Sequence, residues 1–149
     1  MKLKNNKKGF TLIEMLVTIG IISIIATIAI VNYNNAILRS RDERRKVDLE
    51  AIRSALEMYR VNNDYYPTNI YTLTTPNPSP YIGAIPTDPK STQYKYVYQP
   101  VSCTGSQCSD YTLGTIQEIL NSSCSVILNC SSTGTTINCK YCLGPNGKK

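Results

Sequence analysis

A chain of 149 residues with 42% apolar side chains suits one modest domain plus a long helix. Its formal charge of +6 is front-loaded, because Lys2, Lys4, Lys7 and Lys8 precede any apolar segment; the remainder is only mildly basic, which argues against an electrostatic nucleic-acid binder. Histidine is absent, and no Gly-rich phosphate loop, Ser/His/Asp arrangement or paired-carboxylate pattern occurs, so nothing supports an enzyme.

The first element is the run Phe10–Val31, rich in Ile with Leu, Val and Met and free of proline. At about 1.5 Å per residue a helix of this length spans the roughly 30 Å of a hydrocarbon core. The four preceding lysines hold the N-terminus on the cytoplasmic side. One acid, Glu14, interrupts the run. A carboxylate at such a place costs roughly 2.5–3.5 kcal/mol on insertion scales, which points to a function. A secretory signal peptide, with Thr27-Ile28-Ala29 as a weak cleavage site, and a plain N-terminal anchor are the alternatives, but neither explains an acid so near the basic leader.

The junction Lys8-Gly9-Phe10-Thr11-Leu12-Ile13-Glu14, followed by an apolar helix, resembles the type IV pilin and pseudopilin family, whose members polymerise into filaments. The resemblance implies cleavage between Gly9 and Phe10 by a prepilin peptidase, N-methylation of the new amine on Phe10, and a role for Glu14 in subunit assembly by pairing with the N-terminal amine of a neighbouring subunit. The apolar run then serves first as membrane anchor and later as filament core. Many family members carry a proline late in this helix; here Ala29-Ile30-Val31-Asn32 occupies the region, and Gly20 is the only helix-weakening residue.

No proline occurs before Pro67, so the helical pattern continues to about Asn62. Val47, Ala51, Ala55, Met58 and Tyr59, with Leu49, Ile52 and Leu56, fall in one broad arc at helical spacing. Asp42 with Lys46, Arg44 with Asp48, Lys46 with Glu50 and Arg53 with Glu57 make candidate pairs, each worth about 0.2–0.5 kcal/mol. The basic stretch Arg39–Lys46 reads as a solvated helix face, with subunit contact and DNA binding as alternatives. Asn62-Asn63-Asp64 are cap and turn formers that end the helix.

A loop dense in Pro, Thr and Asn follows from Thr68 to Ser79; Tyr94–Tyr98 and Asp110–Ile116 then alternate as strands. The order Tyr66-Pro67, Ile85-Pro86-Thr87-Asp88-Pro89, Tyr96-Val97-Tyr98 and Tyr111-Thr112-Leu113 is similar to the head of the major pseudopilin of type II secretion and related pilins. Secretion pseudopilins of this kind often end in an acidic, glycine-rich calcium loop. Here no Asp or Glu follows Glu118, so no calcium site, and no other metal or cofactor, is expected.

All six cysteines lie late: Cys103, Cys108, Cys124, Cys130, Cys139 and Cys142. An even set in an exported head reads as disulfides. Zinc is the rival, with Cys139-Lys140-Tyr141-Cys142 as its best spacing. Six cysteines allow 15 connectivities. A hairpin turning at Thr133-Gly134 places Cys130 opposite Cys139; Cys103–Cys108 then closes a small loop and Cys124–Cys142 ties the tail to the hairpin base. By the resemblance, such a tail is the surface where a ligand or host contact is sought.

The expected fold is α+β of the pilin type, a long N-terminal helix packed on a small antiparallel sheet. Its expected divisions are a leader at 1–9, a membrane and filament-core half-helix at 10–32, an amphipathic half-helix at 33–62 and a head at 63–149, disulfide-rich from 103. The leading functional expectation is a type IV pilus subunit, with a type II secretion pseudopilin or a membrane-anchored exported binding protein as alternatives. The implied partners are further copies of the chain, the prepilin peptidase and methyltransferase, an assembly platform with motor ATPases, the cytoplasmic membrane before assembly, and surface or DNA ligands of the filament.

Overall fold

The computed structural model describes residues 9–75, 80–119 and 123–149. Residues 1–8 of the basic leader, residues 76–79 of the Pro/Thr/Asn loop and the residues just after Ile119 therefore lie outside the described residues. The chain divides into two units, one up to Ile37 and one from Leu38.

Helix α1 runs from Leu12 to Asn63, 52 residues without a proline. It begins two residues later than Phe10, because Thr11 is bonded to Glu14 as a cap. In the first unit the apolar side chains are exposed, and the segment is long and apolar enough to cross a membrane. Three of its hydroxyl side chains bond the backbone. Thr18 donates to the Met15 carbonyl, Ser23 to that of Ile19, and Thr27 to that of Ser23. Such back-bonding satisfies hydroxyls that lipid cannot.

In the second unit α1 is amphipathic, but its buried stripe differs from the expected arc. Leu49, Ile52, Ala55, Leu56 and Tyr59 are buried, whereas Val47, Ala51 and Met58 are exposed. Continued toward the N-terminus, the buried stripe takes in Arg45 and Asp42 rather than Val47. At the helix end Asp64 adopts a left-handed backbone, φ 67°, and its amide bonds the Arg60 carbonyl.

The sheet is antiparallel. Strand β1 is Tyr66–Pro67, β2 is Val97–Thr104, β3 is Gln107–Thr115, β4 is Tyr141–Gly144 and β5 is Gly147–Lys148. The central strand is β3. Along one edge it pairs with β2; on the other it pairs with β1 near Gln107 and with β4 near Thr115. A 3-10 turn, Ile70–Thr74, occupies part of the segment expected to be loop. The expected strand at Tyr94–Tyr98 starts only at Val97; Tyr94 and Lys95 bond Ser131 and Cys130 of the tail instead.

Two small cores flank β3. Toward the helix, Leu49, Ile52, Leu56 and Tyr59 meet Tyr66, Leu73, Tyr111, Leu113 and Leu143. Away from it, Leu128 clusters with Cys130, Cys139 and Cys142. Gly114 of β3 faces the tail closely: a Cβ there would stand 2.8 Å from Leu128 and 2.9 Å from the sulfur of Cys139.

Candidate functional site

At the N-terminus, Gly9 and Phe10 are non-helical and exposed, with helix α1 starting just beyond them. The Thr11 amide donates to Glu14 Oε2 at 2.8 Å and the Thr11 hydroxyl to the same oxygen at 2.7 Å. In return the Glu14 amide donates to Thr11 Oγ1 at 3.3 Å. This reciprocal arrangement is a capping box, which satisfies amides that a helix start leaves open. Glu14 is therefore locally partnered within one chain rather than unpaired, and both bonds fall on Oε2.

In the second unit the residues expected to form a solvated basic face do not all do so. Arg45 is fully buried. Its guanidinium holds Asp88 in a two-point fork, Nε to Oδ2 at 2.7 Å and Nη2 to Oδ1 at 3.0 Å. Nη1 adds Asp42 at 2.9 Å and Glu118 at 3.0 Å. Arg41 grips Glu118 through two further bonds, and Lys90 Nζ reaches it at 2.9 Å. Asp42 also accepts the amides of Glu118 and Ile119. Three cations thus face three carboxylates, and the cluster joins α1 to the Pro86–Pro89 loop and to the segment after β3.

Burial alone would lower the pKa of Arg45, but the bonds from Asp88 and Glu118 outweigh it and raise the value. The bond from Arg41 leads in holding the Glu118 carboxyl down at about 2, with Lys90 and Arg45 adding to it. On the neighbouring face, Glu57 accepts the hydroxyls of Tyr66 and Tyr111. Burial first, then the Glu57 charge, pushes Tyr111 up.

The expected helix pairs are replaced by i,i+3 contacts, Lys46 with Glu43 and Arg53 with Glu50. Asp48 and Glu57 are drawn off by tyrosine hydroxyls of the head, Tyr96 at 2.7 Å in the case of Asp48. The buried cluster itself was missed in the sequence, although Asp42 and Arg45 extend the i, i+3, i+4 rhythm of Leu49 and Ile52.

The six cysteines form three disulfides, Cys103–Cys108, Cys124–Cys142 and Cys130–Cys139. Cys103 and Cys108 stand opposite each other at the β2–β3 hairpin end. The hairpin around Gly134 is held by the Asn129–Asn138 bridge and by the amides of Cys130 and Cys139, which bond Ile137 and Leu128 carbonyls. Cys139 and Cys142 take different partners, so their C-x-x-C spacing is not a metal unit. Among the described residues no set of three or more His, Cys, Asp or Glu side chains is arranged to hold a metal ion.

An exposed apolar helix start with one capped acid, continuing into a helix packed on an antiparallel sheet with a disulfide-bonded tail, defines the class of filament-forming pilin and pseudopilin subunits. Residues 4–30 match the prokaryotic N-terminal methylation motif, and residues 32–115 match type II secretion system protein G. The chain belongs to the type II secretion system protein G family. It is 32% identical over 109 residues to the type II secretion system core protein G of Vibrio cholerae, covering 65% of this chain and 75% of the relative. The Escherichia coli K12 protein of the same description is 30% identical over 110 residues, 65% and 76% of the two chains. That of Pseudomonas aeruginosa PAO1 is 31% identical over 112 residues, 63% and 75%. No solved structure matches the chain. The chain is a structural subunit, not an enzyme. The protein G match runs through the helix and into the head as far as Thr115 and names a secretion component, which favours the pseudopilin alternative over the pilus subunit that leads the sequence expectation.

Proposed function

We propose that the chain is the repeating subunit of a secretion-type pseudopilus. The observation that carries this reading is the protein G match over residues 32–115, which lies in the helix and head rather than in the leader that all such subunits share. Cleavage after Gly9 frees the Phe10 amine, which is then methylated. Glu14 presents Oε1 to the amine of another subunit while Oε2 stays on Thr11. A buried carboxylate gains most when an opposite charge meets it, and this pairing sets the axial position of each new subunit.

The precursor is a single-pass protein of the cytoplasmic membrane with its N-terminus inside. The assembled fibre extends outward from it. Prepilin peptidase, an assembly platform and a motor ATPase are the partners this reading requires. A chromosomal deletion tests it: loss of extracellular enzyme release, restored by the intact gene, supports the pseudopilus. Unchanged release together with loss of long surface fibres overturns it in favour of a pilus. N-terminal mass spectrometry of the assembled protein should find methylated Phe10.

A further inference from the structure

Ile127 is the most exposed of the large apolar side chains described, at 84%, and Val126 beside it is 37% exposed. They form a tip between Cys124 and Cys130, whose disulfides to Cys142 and Cys139 fix both flanks. The next residue, Leu128, is buried, so the chain folds one aliphatic side chain in and holds two out. Ordering a contact segment in advance lowers the entropy lost on association.

The same unit carries a groove of about 330 Å³ whose apolar lining includes Ile52, Ile70, Tyr71, Ile85, Pro86 and Val97. Tyr71 stands at its rim, 65% exposed. A cavity of about 150 Å³ takes a benzene ring, so this groove has room for two branched aliphatic side chains. The exposure of Ile127 means that it does not fill the groove of its own chain.

We infer that the Val126–Ile127 tip of one subunit seats in the Tyr71–Pro86 groove of a second copy. The inference rests on the filament reading above. An open filament needs a heterologous contact, made by two different and complementary patches on each subunit. One convex apolar tip and one concave apolar groove meet that requirement, and both belong to the second unit.

The test uses the full chain produced with a type II assembly system. Ile127→Asp lowers filament yield by about tenfold or more, as removal of a central anchor does, while cleavage and the three disulfides remain intact. A photoreactive p-benzoylphenylalanine at position 127 gives dimers whose adducts map by mass spectrometry to the groove, at Tyr71, Pro86 or their neighbours. Adducts elsewhere on the chain, adducts to a different protein, or normal filaments from Ile127→Asp overturn the inference while leaving the filament reading in place. Absence of filaments from the unaltered chain overturns both.

Discussion

Arg45 and Asp88, 43 residues apart, form a two-point ion pair in which neither side chain touches solvent. Removing one member of such a pair strands the other charge, which costs roughly 3–5 kcal/mol. Arg45→Ala should therefore lower the denaturation midpoint of the detergent-solubilised chain far more than Arg44→Ala on the exposed face. Equal midpoints for the two variants would show that water replaces the missing partner.

The acid limit of the fold follows from Glu118. Its carboxyl is held at about 2 in the folded chain, below the ordinary carboxylate range near 4.3. A depressed folded pKa means stability that is fully present above the unfolded value and lost as pH falls through the folded one. The stabilisation, at most roughly 3 kcal/mol, should therefore decline between about pH 4.5 and pH 2. Thermal melts of Glu118→Gln across this range should show a flatter acid limb than the unaltered chain.

Gly114→Val places side-chain atoms where Leu128 and the Cys139 sulfur already stand. The tail has to lift from β3, at a cost of about 1–3 kcal/mol for overpacking. Hydrogen exchange should quicken at the Lys140 amide, which bonds the Thr115 carbonyl of β3, while amides of α1 keep their protection. Unchanged exchange at Lys140 would mean that the tail does not rest on this strand.

Thr11→Val removes the hydroxyl that holds Glu14 Oε2 but keeps the backbone bond. Loss of a capping side chain costs about 0.5–2 kcal/mol. Filament yield should fall for Thr11→Val and recover for Thr11→Ser, with membrane insertion equal in all three. Glu14→Gln keeps the shape and loses the charge, and it should insert normally yet assemble poorly. Normal yield from Glu14→Gln would remove the charge from the assembly step.

Reduction tests the tail. Cys130→Ser with Cys139→Ser removes a cross-link of the kind typically worth 2–4 kcal/mol. Limited proteolysis should then cut near Thr133-Gly134, with β2 and β3 still joined by Cys103–Cys108.

What the sequence revealed was local. Glu14 stood out against an apolar run, the long helix against an absence of proline, and the cysteine pairs against a turn at Gly134. The buried cluster was hidden because its members are far apart and individually resemble surface charges. Arg45 lies on the helical rhythm of Leu49 and Ile52 and Arg44 does not, but the carboxylates that let a charge go inside there, Asp88 and Glu118, lie 43 and 73 residues on. Strand β4 was missed for the same reason, since its four residues are a strand only through pairing with β3. The exposure of Val47 and Met58 shows how a broad apolar arc can exceed the face that one small sheet can cover.

Separation along the chain also has a temporal meaning. A polypeptide crossing a membrane behind its N-terminal helix delivers Arg45 long before Glu118, the acid that completes charge balance around it. Until Glu118, just beyond β3, has emerged, the guanidinium has Asp42 and Asp88 as counterions but lacks the third carboxylate, which also holds Arg41 and Lys90. The cluster is thus completed by the segment beyond β3, which adds the carboxylate shared by Arg41, Arg45 and Lys90.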